Sequence, residues 1–266
     1  PPVPRQAGDQ DSIKNVTTDD ELIVPDRTRI ALLAGLAGVA VGSGSLYTAL
    51  MSRRIVIDDA TYEAARWISE YSAEHSLTYP QNYVLSKWGR NRVYNYFVNG
   101  EASSYGYAER NYEEFLFSTD ADEWYEQFAD RVGFVVTRDL PHLGLIGSST
   151  VQSTLHDRFG GAARSERGVG HFRILFATDD GARKVFRVVP GATISGATHN
   201  DPEQVQLVAD VSIPGADFEY VRRASVTDGT FEVTVANPGT YRIGDDGRTV
   251  TISEQMVRTG ATLSVE

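Results

Sequence analysis

One short stretch of the chain gathers aromatic rings and hydrogen-bond donors of the kind that bind a polar substrate. Trp88, Arg90 and Asn91 stand close together, and Tyr94 and Asn95 follow them. An indole or phenol ring offers an apolar face to a peptide or a sugar, while guanidinium and amide groups donate hydrogen bonds. These five residues are therefore the candidate substrate-binding residues.

The segment 95–111 extends this pattern because it is crowded with Tyr, Asn and Gly. Aromatic platforms beside amide donors suit sugar rings, which have an apolar face and many hydroxyl groups. Two alternatives remain open from the sequence. The tyrosines of this segment would instead pack on their own domain, and Trp88 would instead be an aromatic anchor in the domain core.

The sequence predicts no catalytic residue, no metal ligand and no cofactor. The five histidines are far apart and share no metal-ligand spacing, and the absence of cysteine excludes thiolate chemistry. The paired serines at 103–104 and 148–149 have no Gly-x-Ser-x-Gly context, so no sequence motif indicates the nucleophilic serine of a hydrolase.

The composition is acidic and poor in lysine. The formal net charge is −11, and of 25 basic residues only Lys14, Lys87 and Lys184 are lysines. Carboxylates hold hydration while concentrated salt screens their repulsion, so this balance favours a halophilic protein over an ordinary acidic protein. The same balance argues against nucleic acid as a partner.

An apolar run predicts how the chain meets a membrane. Residues 30–51 carry no charge and could cross a hydrocarbon core of about 30 Å. We expect a flexible juxtamembrane segment over 1–28 and a transmembrane helix over 29–52, rather than a cleaved signal peptide or a buried core helix. This interpretation predicts membrane lipid as a partner and a cell-membrane location, with one visible span and extracellular C-terminal domains.

Two domains are predicted after this run. Residues 53–188 mix helical and strand patterns, which indicates an α/β or α+β domain, and residues 93–97 are expected to form a strand. Residues 189–266 show apolar alternation broken by turn residues, which predicts a small all-β sandwich of about seven strands.

Several motifs, in order, resemble the archaeal oligosaccharyltransferase catalytic subunit, in its extracytoplasmic region. They are an amphipathic segment over 58–71, the run 83–92, a helix-glycine-loop-strand passage over 155–176, and the stretch 185–196. The family reads Trp-Trp-Asp-Tyr-Gly at the positions of Lys87, Trp88, Gly89, Arg90 and Asn91, so only Trp88 matches.

This resemblance implies a role in protein N-glycosylation. It implies an acceptor protein or a lipid-linked glycan as the partner, with Mg²⁺ or Mn²⁺ needed only in a full-length member of the family. Gly89 offers no carboxylate to the hydroxyl of an acceptor sequon and Arg90 only donates hydrogen bonds, so of the family's sequon-binding positions only Trp88 carries over. Because the resemblance places the family's metal ligands in a multi-helix membrane region outside this sequence, the isolated chain is expected to bind without transferring glycan. The alternative is a membrane-anchored cell-surface scaffold that retains the domain without transferase activity.

Overall fold

The computed structural model describes residues 56–140, 147, 149–163, 166–198, 202–245 and 247–265. Residues 57–266 form one compact unit. Its helices are α1 (Asp59–Glu74), α2 (Trp88–Asn99), α3 (Tyr105–Phe117), α4 (Tyr125–Phe128) and α5 (Glu254–Thr259). A 3₁₀ turn (Asp122–Trp124) precedes α4, and a π-helical turn spans Ser153–Asp157. The strands are β1 (Val84–Leu85), β2 (Phe134–Arg138), β3 (Phe172–Ala177), β4 (Arg183–Val188), β5 (Ala192–Ala197), β6 (Gln204–Ile213), β7 (Ala216–Thr227), β8 (Thr230–Val235), β9 (Gly239–Ile243), β10 (Arg248–Ile252) and β11 (Thr262–Val265).

Helix α1 forms where the apolar spacing predicts it. The Asp58 carboxylate caps its start by accepting from the Thr61 backbone N–H at 2.8 Å, which satisfies one of the free donors of the first turn. Ala65 and Ile68 lie on the buried face of the helix. Trp67 stacks on Phe176 of β3 with ring centroids 5.1 Å apart. Helix α1 therefore covers one face of the first sheet.

The first sheet has four strands in the order β1-β2-β4-β3. Strand β1 pairs parallel with β2, and the other neighbours are antiparallel. Gly133 lets the chain before β2 approach β1 closely, since a Cβ at this position would lie 1.9 Å from the Gln81 carbonyl oxygen. This approach fixes β1 at the sheet edge, where it supports helix α2.

The second sheet corrects the predicted fold class. It has seven strands in the order β10-β9-β6-β7-β8-β5-β11, in which only β5 and β11 pair in parallel among the described strands. Strand β7 pairs with β6 over residues 216–225 and with β8 over residues 226–227. It thereby joins strands that a sandwich would divide between two sheets, so the prediction of a separate β-sandwich is wrong. The fold is a compact α+β unit with two mixed sheets.

The predicted membrane span is also corrected. The longest described helix, α1, has 16 residues and carries charged side chains such as Arg66 and Glu70, whereas a spanning helix needs about 20 mainly apolar residues. Across the described ranges, no helix is long and apolar enough to cross a bilayer. The segments 1–28 and 29–52 lie outside these ranges. The prediction of one transmembrane helix, and with it the cell-membrane location and extracellular C-terminal domains, is therefore set aside.

The two sheets have their own apolar clusters, which are joined by Phe218 of β7, packed against both, and by polar contacts. The core of the seven-stranded sheet is centred on residues such as Leu207 and Tyr241, and the four-stranded sheet buries its own clusters. The Arg222 guanidinium of β7 lies 3.3 Å from the Asp122 carboxylate, whose other oxygen accepts from the Gly170 N–H at 2.9 Å. The division into domains over 53–188 and 189–266 stays a prediction.

Candidate binding site at the start of helix α2

The five candidate residues all lie on one helix. Helix α2 begins at Trp88, and its last turn is closed by Gly100 in the left-handed region, at φ 75°. The prediction of a strand over residues 93–97 is therefore wrong. Val, Tyr and Phe favour strands in general, but contacts with neighbouring elements override such weak preferences.

Asn91 and Asn95 hold α2 against the edge strand β1. They stand one turn apart and are buried. The Asn95 side chain accepts from the Val84 N–H at 2.9 Å and donates to the Val84 carbonyl at 2.9 Å. Asn91 donates to the same carbonyl at 2.7 Å, and Asn95 also donates to the Asn91 carbonyl at 3.0 Å. Both side chains satisfy backbone groups, so they position the helix and do not face a ligand.

Trp88 lies at the surface in the first turn of α2. It is 52 % exposed, so it is not an anchor in the domain core. No side chain caps the helix start at Lys87. The indole therefore presents its ring and N–H to solvent beside the uncapped end of the helix.

Arg90 and Tyr94 line a small cavity next to this surface. The cavity has a volume of about 130 Å³ and is bounded by the start of α1, the start of α2 and the ends of β2 and β4. Its lining consists of Asp58, Ser86, Lys87, Arg90, Tyr94, Tyr112, Val136, Arg138 and Arg183. The structure therefore divides the five predicted residues: two line this cavity, Trp88 is exposed and is not part of the lining, and Asn91 and Asn95 support the helix.

The carboxylate in the cavity is engaged by its neighbours. Asp58 lies 3.1 Å from the Arg183 guanidinium and accepts hydrogen bonds from the Thr61 backbone N–H and hydroxyl. Burial alone would raise the pKa of Asp58, but the Thr61 hydrogen bonds and the Arg183 charge outweigh burial and lower it. Asp58 is therefore ionised at neutral pH and balances one of the cations.

Two buried hydroxyl groups in the lining lack partners. The Ser86 and Tyr94 hydroxyls make no hydrogen bond within the part of the chain that the structure describes, and both residues are 2 % exposed. By contrast, the hydroxyl of Tyr112, which also lines the cavity, donates to the Val136 carbonyl at 2.8 Å. Burial raises the pKa of Tyr94 against the smaller opposing effects of the Arg183 charge and of the neighbouring Thr61 and Arg183 side chains, which lie near its hydroxyl without meeting hydrogen-bond geometry. The hydroxyl therefore remains a neutral donor. The cavity thus offers donors and positive charge to whatever enters it.

Several members of this site could not be recognised from the sequence. Arg138 and Arg183 come from β2 and β4, and the ion pair between Asp58 and Arg183 joins residues 125 positions apart. On the surface, Phe97 of α2 meets Tyr62 of α1 edge to face at 5.7 Å. Both of these rings are exposed. No local pattern indicates either arrangement.

A larger groove of about 610 Å³ lies between the 3₁₀ turn and strands β7 and β8. Its described lining includes no aromatic ring, which a sugar site commonly uses. The buried Arg222 at its base donates to the Thr234 carbonyl at 2.8 Å and to the Arg167 carbonyl at 3.2 Å. These Arg222 donors serve the backbone, whereas one guanidinium nitrogen of Arg223, which also lines the groove, is buried without a hydrogen bond among the described residues. Within the described residues, no cluster of three or more His, Asp or Glu side chains could hold a metal ion.

Comparison with known proteins shows which solved structures this fold is similar to. No family model matches the sequence, and no curated protein matches it. The chain is similar to the Archaeoglobus fulgidus oligosaccharyltransferase in complex with Zn and sulfate, with a TM-score of 0.54 and 15% identity over 79% of this chain and 46% of that chain. The apo form matches with a TM-score of 0.55 and 14% identity, over 79% and 43%. AglB from the same organism, in complex with an inhibitory peptide and a dolichol-phosphate, matches with a TM-score of 0.55 and 14% identity, over 79% and 42%.

The family resemblance is thus confirmed at the level of the fold, which is oligosaccharyltransferase-like. The chain spans less than half the length of these structures. The halophilic origin and the replacement of the family motif at residues 87–91 stay predictions.

Proposed function

We propose that this chain is an acceptor- or glycan-binding region of an oligosaccharyltransferase-type system for protein N-glycosylation, and that the chain by itself does not transfer glycan. The match of fold over 79% of the chain carries the proposal. One of the matched structures holds an inhibitory peptide and a dolichol-phosphate, which makes a peptide or a lipid-linked glycan the partner to test.

The start of α2 supports a binding role. Trp88 is half exposed at the first turn, where its ring offers apolar contact area and its N–H a hydrogen bond. The cavity behind it supplies donors and cations, and its one described carboxylate, Asp58, is held in an ion pair. These groups suit the binding of a polar ligand better than the removal of a proton from one.

Binding of a labelled Asn-x-Thr peptide to the full chain, followed by fluorescence anisotropy, tests the acceptor role. Trp88→Ala is expected to weaken binding about tenfold, or ~1.4 kcal/mol, as for other exposed aromatic contacts that a partner covers. Phe117→Ala is the matched control, because Phe117 is a similarly exposed aromatic residue at the far end of α3. Equal loss of affinity in both variants would contradict a specific role for Trp88.

Two further measurements define the ligand and the lack of transfer. A Gln-x-Thr peptide should bind more weakly than the Asn-x-Thr peptide, and equal affinity for both would argue against acceptor recognition. Incubation with lipid-linked oligosaccharide, the Asn-x-Thr peptide and Mg²⁺ or Mn²⁺ should yield no glycopeptide. Glycopeptide made by this chain alone would refute the non-catalytic part of the proposal.

A further inference from the structure

We infer that the cavity beside helix α2 is a binding site for a tetrahedral oxyanion, namely a phosphate or sulfate group. This inference does not depend on the proposed role in glycosylation, because it uses only the groups that line the cavity.

The first argument is charge. Lys87, Arg90, Arg138 and Arg183 line the cavity and Asp58 is its one described acid. Among the described lining residues four cations face one carboxylate, in a chain whose formal net charge is −11. Cations crowded into one small space repel each other, and a bound anion relieves this repulsion.

The second argument is the pair of unused hydroxyl donors. The Tyr94 and Ser86 hydroxyls are buried, line the cavity and have no partner among the described residues. Leaving such groups unpaired costs free energy, whereas an anion that enters the cavity would accept from both. The start of α2, a 12-residue helix without a side-chain cap, adds the positive end of a helix dipole.

Size and direction narrow the ligand. A volume of about 130 Å³ is large enough for a small oxyanion of five heavy atoms. The cations come from four places: the residue before α2, the first turn of α2, β2 and β4. A planar carboxylate is met best by a coplanar fork of donors, whereas a tetrahedral dianion accepts donors from several directions. Lys87 and Arg90 are half buried, so the ligand can enter from solvent.

Titration of the full chain with inorganic phosphate or sulfate, at constant ionic strength set with NaCl, tests the site. We expect saturable heat by calorimetry and a saturable rise in melting temperature. Arg90→Gln is expected to weaken the apparent affinity about tenfold and Tyr94→Phe a few-fold. Arg66→Gln is the matched control, because Arg66 is an exposed arginine of α1 outside the cavity, paired with Glu70. It should bind like the wild type.

Each outcome of these titrations supports or contradicts one part of the inference. Equal affinity in the wild type and Arg90→Gln would overturn the site, and acetate binding as tightly as phosphate would overturn the tetrahedral ligand. Methyl phosphate that binds more tightly than inorganic phosphate would identify an ester carried on a larger ligand, while the reverse would identify the free ion. If the oxyanion binds and the Asn-x-Thr peptide does not, the inference stands and the glycosylation role fails. If the peptide binds and the oxyanion does not, only the inference of an oxyanion site fails.

Discussion

Helix α2 separates two buried polar regions that differ in how far their hydrogen bonds are satisfied. On the side of β1, Asn91 and Asn95 exchange hydrogen bonds with the backbone of Val84 at 2.7–2.9 Å. On the other side, the cavity contains the unpartnered hydroxyls of Tyr94 and Ser86. Polar groups that are satisfied within the chain stabilise the fold, whereas buried groups that are left unsatisfied are available to a ligand. The comparison predicts that substitutions on the two sides affect different properties.

The largest expected effect is on the satisfied side. Asn95→Ala leaves the Val84 N–H without its acceptor and removes donors to two carbonyls in a buried place. We expect a loss of about 3 kcal/mol in the free energy of unfolding, measured by urea denaturation. Asn111→Ala is the control, since Asn111 is partly exposed, donates to the carbonyl of the preceding turn and accepts from the exposed Gln127 side chain. Asn111→Ala should lower the free energy of unfolding by less than ~1 kcal/mol. Equal losses in the two variants would contradict the comparison between the two sides of α2.

A second satisfied group, His156, gives an effect that depends on pH. Its ring lies 2.9 Å from the Thr137 hydroxyl and is buried beside Lys184, whose ammonium donates to the His156 carbonyl. Burial and the Lys184 charge lower the pKa of His156 from 6.5 to about 4, against the opposing charges of Asp157 and Asp139. Between these two pH values the unfolded chain binds more protons, so the contribution to stability is complete above pH 6.5 and is lost as the pH falls.

From pH 7 to pH 5 this residue should reduce the free energy of unfolding by about 2 kcal/mol. The His156→Gln variant cannot take up a proton at this position in this range. Its free energy of unfolding should therefore fall by about 2 kcal/mol less than that of the wild type between pH 7 and pH 5. Urea denaturation at both pH values measures the difference. An identical loss in the wild type and the variant would show that the imidazole is not held neutral by the fold.

The smallest effect comes from two tyrosines that line the same cavity. Tyr112→Phe removes a hydroxyl that donates to the Val136 carbonyl at 2.8 Å, and it should cost about 1 kcal/mol. Tyr94→Phe removes a hydroxyl without a partner, so stability should stay unchanged or rise. Thermal denaturation of both variants without added anion measures the contrast. A larger loss in Tyr94→Phe than in Tyr112→Phe would show that the Tyr94 hydroxyl is already engaged.

The sequence was informative where one face of a long segment is apolar. Helices α1 and α3 follow from residues that repeat at helical spacing, such as Ile68, Tyr112 and Phe115. Residues 93–97 of α2 are predicted as a strand because Val93, Tyr94 and Phe97 favour strands, whereas amide contacts with β1 hold this segment as part of a helix. Such contacts join separate elements and leave no periodic pattern to detect.

The site shows the same limit. Trp88, Arg90 and Tyr94 are neighbours in sequence and could be proposed together, but Arg138 and Arg183 reach the cavity only through the pairing of β2 with β4. The roles of Asn91 and Asn95 also could not be separated from those of their neighbours, because a buried amide that supports a strand looks like an exposed donor in sequence. Burial, which decides between the two, is a property of the folded chain.

The one-sided attachment of α2 has a consequence for how this domain can diverge among relatives. The amides that fasten the helix to β1 lie at residues 91 and 95, whereas the turn at residues 86–90, which includes the first three residues of the helix, carries none of these bonds. Selection can therefore act on the turn separately from the frame that presents it. A lineage could exchange Lys87, Gly89 or Arg90, and with them the preferred ligand, while it retains the same helix at the same edge of the sheet.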